Sequence, residues 1–401
     1  MISSLQAQTT VLSYQLQPRV VTIPLEDSLS RILAEDVLAD IDQPPFHRVA
    51  MDGIAVKKEQ LLSSKKFRIL GTISAGSAIA TLPEGNVCFE IMTGAVLPLN
   101  ADFVIRYEDL KIFQDEAEVC CNLEKLSANY HPQGSDYRKG DKVLITGTKI
   151  KSTTTAILAS VGKSKVQVFD YPNVAILSTG DELVDIGDVP QPHQIRWSNG
   201  ISLKQQLASF NFSKVSLHKV GDDEAAMKKL MLELLQTKDV LLLTGGVSAG
   251  KFDFVPKLLK ECQVQEIFHK VAQRPGKPLW FGKTETNVFV FGLPGNPVSC
   301  LVNLRKFIIP FLVRSYPGNQ PSVQKAYLSE EVKFNKSLTY YCQIKMKNSE
   351  GKLIATPLSG NGSGDFYQLR DSDGFMELRP EDGPFDKNFL GEIYLWEKNN
   401  E

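Results

Sequence analysis

The chain has 401 residues, 45 Lys and Arg against 46 Asp and Glu, and 42% hydrophobic residues. That length accommodates several domains of roughly 100–200 residues each, every one with its own core. A net charge of −1 gives no electrostatic reason to expect nucleic acid or an anionic membrane surface as a partner, and the composition excludes low-complexity disorder.

In chain order, the first element is a predicted helix. Leu25, Leu29, Ile32, Leu33 and Val37 fall at helical spacing, with Asp27 or Ser28 as a start cap. A Pro44-Pro45-Phe46 break ends it. Short β-type runs follow between turn signals: Phe67–Leu70, Val87–Met92, Phe103–Tyr107 and Val143–Ile145. A helical segment, Thr153–Val161, closes this β-rich region. From Pro172 the texture changes. The run Val174–Leu177, a helix through Ile201, Leu203, Leu207 and Phe210, and a strand Lys214–Val220 come first. A helix Glu224–Leu235, the run Val240–Leu243, a helix Phe254–Leu259 and a strand Val288–Phe291 complete the series. Strands alternating with helices argue for a parallel sheet covered on both faces, placed at 173–316. Tyr316 to Pro321 reads as a linker, and 317–401 as a small all-β domain with alternating segments such as Tyr341–Lys345 and Glu392–Trp396. The longest apolar run, Phe307 to Val313, falls far short of the roughly 18 residues that span a bilayer. Residues 1–20 show no charged head followed by an apolar block, so no secretory signal is expected.

Three strand-like runs of the α/β region end in glycine loops: Ser178-Thr179-Gly180, Thr244-Gly245-Gly246 with Ser248 beyond it, and Pro294-Gly295-Asn296. In open α/β sheets, ligands bind outside the carboxyl ends of the strands. Glycines there let backbone N–H groups approach a phosphate. Any one loop is compatible with a glycine that merely ends a strand; three in one domain favour a phosphate-bearing ligand. Lys270, Arg274 and Lys277 put three cations into one short segment, in which Pro275-Gly276 favours a loop. It reads as a solvated basic turn or, beside the glycine loops, as an anion cradle. Asp181, Glu182, Asp222, Asp223 and Asp253 sit next to the same loops. Carboxylates beside a phosphate call for a hard cation between them, which suggests Mg²⁺, although Asp222 and Asp223 could equally cap the following helix. Asp52 and Asp136 lie in the β-rich region, where physics alone leaves them as ordinary turn residues. The six cysteines show no C-x-x-C spacing, and the five histidines show no H-x-x-x-H. A zinc site or disulfide framework is therefore not expected, and a reducing cytoplasm is.

Together these segments resemble the molybdopterin molybdenumtransferase family of MoeA type, also found as the E domain of gephyrin. The matching stretches are Pro44-Pro45-Phe46 through Ala50-Met51-Asp52-Gly53, Ile91-Met92-Thr93-Gly94-Ala95 through Ala101-Asp102, and Leu177 through Leu183. Ser198-Asn199-Gly200, Thr244-Gly245-Gly246-Val247-Ser248, Arg274-Pro275-Gly276-Lys277-Pro278 and Leu293-Pro294-Gly295-Asn296-Pro297 complete the match, which runs in order from about residue 20 to 315. His47-Arg48-Val49, Ile54, Asn100 and His131-Pro132-Gln133 depart from the family pattern.

The resemblance implies four domains. These are an elongated N-terminal domain (1–43 plus 140–172), a β-rich insertion (44–139), a molybdopterin-binding α/β domain with a parallel-type sheet (173–316) and a C-terminal β-barrel (317–401). It implies an enzyme that takes adenylylated molybdopterin and molybdate, hydrolyses the adenylate to AMP, and inserts the metal to give molybdenum cofactor. The sulfur ligands would belong to the substrate. It also implies a homodimer with sites shared between subunits, and transient contact with an adenylyltransferase and with molybdoenzyme apoproteins. Carried over residue by residue, Asp52, Glu182, Asp222 and Asp253 fall on catalytic positions, with Glu182 and Asp253 as Mg²⁺ ligands. Asp136, Ser178, Thr179, Gly180, Gly245, Gly246, Ser248, Lys270, Arg274, Lys277, Pro294, Gly295 and Asn296 fall on substrate-binding positions. Two other readings are a gephyrin-like scaffold and a molybdopterin adenylyltransferase.

Overall fold

The computed structural model describes residues 1–122, 127–247, 254–318, 321, 323–334, 336–358 and 366–397. It divides into two compact units, Met1–Val21 with Val168–Glu401, and Thr22–Gln167. Among the described residues no helix is long and apolar enough to cross a membrane.

The larger unit is built on a six-stranded sheet. Val215–Val220, Val174–Thr179, Val240–Thr244 and Phe289–Leu293 lie side by side in that order, all parallel. Every residue of the last three is buried, which is why their sequences read as continuous apolar runs rather than alternating ones. Helices Glu224–Thr237 and Val255–Glu261 pack Met227, Met231, Leu234, Leu258 and Leu259 onto Ala175, Leu177, Leu241 and Leu243. Ile176 and Leu242, pointing to the opposite face by strand alternation, are equally buried. Helix Asn199–Ser209 packs on Val174–Thr179 and against helix Pro297–Asn303.

Four strands form the expected parallel core, and the sheet continues beyond them. Trp280–Lys283 and Gln265–His269 add two antiparallel strands beyond Phe289–Leu293. The segment expected as a basic loop is also partly a strand. Val271–Arg274 pairs in parallel with Ile2–Ser3 on one side and with Thr339–Ser349 on the other. Its partners lie far away in sequence, so no local pattern announces it. Strands Thr339–Ser349, Lys352–Pro357, Gln324–Leu328, Leu390–Leu395 and Gly374–Leu378 close into a five-stranded barrel, the last pairing back on the first. Its interior holds Ala326, Cys342, Ile344, Ala355, Met376 and Ile393. Beneath the barrel, one π-helical turn, Leu304–Ile308, carries Lys306 into a buried cluster. Its ammonium donates to Glu377 Oε2 at 2.7 Å, Tyr394 Oη at 2.7 Å and Gln8 Oε1 at 3.0 Å.

The smaller unit holds a six-stranded sheet in the order Phe103–Arg106, Gly53–Val56, Val87–Ile91, Lys66–Ile73, Glu116–Val119, Leu110–Phe113. The helix expected from Leu25 to Val37 is absent. Leu25–Asp27 is a single 3-10 turn and Val37–Leu38 a short strand on Lys142–Leu144. Between them, Ser30 turns with φ of 67°, and the backbone of Ser30 and Leu33 donates to Ile150 and Thr148. Tertiary pairing takes the bonds a helix would have used, leaving Leu29 exposed. The helix of this part of the chain is instead Ser4–Leu12, in the larger unit. It starts from a capping box in which Ser3 Oγ accepts from the Gln6 N–H and the Gln6 side chain accepts from the Ser3 N–H.

Candidate active site

In-register pairing fixes where the glycine loops go. Thr179 lies opposite Val220, Ser178 opposite Thr244, and Thr244 opposite Leu293. The loops that follow, at 180–182, 221–223, 245–247 and 294–296, therefore leave one end of the sheet, the carboxyl end. The basic segment joins them there. His269 pairs with Trp280 and Trp280 with Gly292, so the connection 270–279 leaves the same end. His269 Nε2 lies 3.1 Å from the Val247 carbonyl oxygen and ties the two loops together.

The loops are held by backbone constraints and buried hydroxyls. Gly245 has φ of +92°, and a Cβ there would stand 2.9 Å from the Thr179 carbonyl oxygen, so the turn accepts only glycine. Ser178 is buried, and its oxygen accepts from Trp197 Nε1 at 2.7 Å and Thr244 Oγ1 at 2.8 Å. That hydroxyl is occupied in binding strand to strand, and Thr179, also buried, packs beneath Gly245 and Gly246. Asn199 Nδ2 donates to the Gly295 carbonyl at 2.8 Å, anchoring the third loop. Asn296 caps helix Pro297–Asn303, accepting from the Ser299 N–H at 3.0 Å, while Pro294 offers its carbonyl to the buried Cys300 thiol.

Charge is divided across this edge. On the side of Val174–Thr179 and Val215–Val220, Asp181 Oδ1 accepts from the Asp222 N–H at 3.0 Å, and Asp223 caps helix Glu224–Thr237. The capping reading thus holds for Asp223 and not for Asp222. The exposed carboxylates of Glu182 and Asp222 have no side-chain partner among the described residues. On the other side, Lys270 and Arg274 are half-buried and Lys277 exposed, and none of the three pairs with a carboxylate among the described residues. Ser248 and Asp253 lie outside the described residues. Among the described residues no group of three His, Cys, Asp or Glu is arranged to hold a metal ion.

Asp52 and Asp136 are in the smaller unit. Asp52 stands at the start of strand Gly53–Val56, and Gly53 fits because a Cβ there would overlap the Ile105 carbonyl at 1.8 Å. Thr93 donates twice to Asp52 Oδ1, from its N–H at 2.6 Å and its hydroxyl at 2.7 Å. Those bonds hold the exposed carboxyl below its ordinary range. Close by, burial and the Glu90 carboxylate push the Tyr107 phenol up to about 12, so it stays a hydrogen-bond donor. Asp136 is exposed in a turn, its N–H donating to the Gln43 carbonyl at 2.9 Å. The departures from the family pattern have local roles. His47 Nδ1 accepts from the Gln133 N–H at 3.1 Å, Ile54 is a core residue, and Asn100 adopts φ of +69°, a value asparagine tolerates where glycine would otherwise serve. Sequence reasoning assigned no role to Trp197, Asn199 or Thr93, although Asn199 and Thr93 lie inside the matched motifs. Gln273 and Asn303, discussed below, carried no signal of their own.

Comparison with known proteins extends this picture along the chain. The MoeA N-terminal region (domain I and II) matches residues 2–162, a probable molybdopterin binding domain residues 175–314, and the MoeA C-terminal region (domain IV) residues 325–395. A molybdopterin molybdenumtransferase of Synechocystis sp. is 36% identical over 379 residues, covering 94% of this chain and 95% of its own. One from Bacillus subtilis is 30% identical over 383 residues, 93% of this chain and 89% of its own. The crystal structure of the molybdopterin biosynthesis MoeA protein from Pyrococcus horikoshii superimposes with a TM-score of 0.84 at 30% identity, covering 99% of this chain and 100% of that one.

Proposed function

The chain belongs to the MoeA family, and from that premise we propose that it carries out the family's step in molybdenum cofactor biosynthesis as a molybdopterin molybdenumtransferase. The reaction read here takes adenylylated molybdopterin and molybdate, hydrolyses the adenylate, and releases AMP and molybdenum cofactor. The observation that carries it is the convergence, at the carboxyl end of one sheet, of the glycine loops and three cations that pair with no carboxylate among the described residues, with carboxylates lacking a side-chain partner among the described residues at its other side. Backbone N–H groups of the loops would face the phosphates. Lys270, Arg274 and Lys277 would offset the charge of phosphate and molybdate oxygens. An adenylyltransferase reading uses a similar α/β domain but leaves the matched N-terminal and C-terminal regions without a role. A scaffold reading gives no role to these charges, which have no counter-ion among the described residues.

Mg²⁺ belongs to this reading. It commonly keeps waters and takes one or two carboxylates together with substrate phosphates, which suits Glu182 and the sequence-expected Asp253. When bound, it would neutralise pyrophosphate charge. Asp52, its carboxylate held by Thr93, would orient an attacking water by accepting a hydrogen bond from it. The test incubates the protein with adenylylated molybdopterin, Mg²⁺ and molybdate and follows AMP. Molybdate-dependent release of AMP with formation of active cofactor is expected. Formation of the adenylylated pterin from ATP instead would favour the adenylyltransferase.

The reading further includes four domains as bounded above, a cytoplasmic homodimer, contact with the supplier of the adenylylated pterin and with recipient apoenzymes, and sites shared between subunits. Asp52→Ala and Asp253→Ala variants, each inactive, test the last point after subunit exchange. A shared site predicts recovery to about a quarter of wild-type activity, because half the dimers are mixed and each holds one intact site. Absence of recovery with exchange confirmed would place each site within one chain.

A further inference from the structure

The connection carrying Arg274 and Lys277 turns at Gly276, and the carbonyl of that glycine is gripped by two buried amides. Gln273 Nε2 donates to it at 3.0 Å and Asn303 Nδ2 at 3.3 Å, while Gln273 Nε2 also donates to Asn303 Oδ1 at 2.7 Å. Gln273 is 1% exposed and Asn303 0%. Gly276 has φ of +88°, and a Cβ there would stand 2.8 Å from Asn303 Nδ2 and 2.9 Å from Gln273 Nε2, so the grip closes only around a glycine. Behind it, Tyr341 Oη donates to Gln273 Oε1 at 3.4 Å, and Tyr341 shares a further hydrogen bond of 2.5 Å with Ser4 Oγ. Asn303 ends the helix that begins at the Pro294-Gly295-Asn296 loop, Tyr341 belongs to the barrel, and Ser4 opens helix Ser4–Leu12.

Burying four polar side chains is costly unless they bond to one another, and an apolar filling would pack as well. What this network fixes that an apolar one could not is the position of one loop carbonyl, and with it the two cations on either side. Arg274 and Lys277 are long and carry no counter-ion among the described residues, so nothing in their own side chains sets where their charges stand. We infer that Gln273 and Asn303 are positioning residues. Their amides clamp the Gly276 carbonyl and so hold Arg274 and Lys277 at the spacing that meets the anionic groups of the substrate. The inference rests on the reading of this loop as the anion-binding element, proposed above.

A double-mutant cycle separates the two. Equilibrium binding of adenylylated molybdopterin is measured for the wild type, Asn303→Leu, Arg274→Ala/Lys277→Ala, and all three substitutions combined, with thermal melting of each. Loss of both cations should weaken binding by about 100-fold or more, and Asn303→Leu alone about fivefold to tenfold. With the cations already removed, Asn303→Leu should change binding by less than about twofold, because it acts only through them. An equal effect of Asn303→Leu in both backgrounds would overturn the clamp and leave the basic loop as the binding element. Unchanged binding on loss of both cations would overturn the loop reading and the clamp with it. Gly276→Ala, whose Cβ would push the amides apart, replaces Asn303→Leu in the same cycle should that variant fail to fold, and the same outcomes decide.

Discussion

Two groups of cations in the larger unit obey opposite rules. Lys306 lies at 0% side-chain exposure, and its three protons go to Glu377, Tyr394 and Gln8. Arg379 adds a second cation at 3.2 Å from the same Glu377 oxygen. Burial alone would push the Glu377 carboxyl up, but Lys306 and Arg379 outweigh it and hold it below its ordinary range. Lys270, Arg274 and Lys277 instead have no carboxylate partner among the described residues and stand at the rim of a sheet edge. A protein charge already neutralised by its own fold has little left to offer a ligand. A charge that the fold positions but leaves without a counter-ion is available to one. The difference separates a joint between the barrel and the helices beneath it from a surface suited to an anion.

Lys306→Met is the most severe way to probe that contrast. It leaves Glu377 buried without its nearest cation, which should cost about 3–5 kcal/mol of stability, read as a lowered midpoint in denaturant. Substrate affinity of the folded fraction should not change. A loss of affinity without a loss of stability would erase the distinction drawn here. Lys277→Ala should behave in the reverse sense. Binding of adenylylated molybdopterin should weaken by about 1.5–3 kcal/mol, stability should hold, and the salt dependence of binding should fall. Binding indifferent to this change would return the loop to a solvated basic turn.

The smallest effect is expected at Asp52, which is likewise held but pairs with no cation among the described residues. Thr93→Val removes the hydroxyl that donates to its carboxylate and keeps the N–H, so the carboxyl should rise toward its ordinary range. A depressed carboxyl keeps its charge, and whatever stability that charge brings, until the pH falls through the folded-state value. The variant should therefore lose activity earlier as pH falls, with the acid limb of kcat/KM moved to higher pH and the alkaline limb unmoved. An acid limb that stays in place would separate Asp52 from the rate.

Much of the larger unit was legible because its strands are buried on both faces. Val174–Thr179 and Val240–Thr244 read as short apolar runs ending at glycine, and the parallel register then brings their ends together. The reading failed where distant pairing competes with local spacing. Leu25 to Val37 has helical periodicity, yet its backbone bonds to residues 148–150. Ser4–Leu12 is a helix announced only by its capping box and not by a strong apolar stripe. Among the residues proposed for the site, Glu182, Lys277 and the glycines could be named because their chemistry is visible in one letter. Trp197, Thr93, Gln273 and Asn303 could not, since an indole, a hydroxyl or an amide is informative only once its partner is known.

The sequence by itself determined the family, the order of the four parallel strands and of the helices between them in the α/β region, and the residues that bring charge to its loops. Those properties are local: apolar runs, turn glycines and the identity of ionisable groups do not depend on what lies opposite. Only the tertiary structure decided which cations are neutralised and which have no counter-ion among the described residues, and that Val271–Arg274 is a strand between Ile2–Ser3 and the barrel. It also decided that two amides thirty residues apart close on one glycine carbonyl. The physical reason is that a hydrogen bond or an ion pair is a property of two groups at about 3 Å. Which two groups meet is fixed by packing across the chain, not by spacing along it.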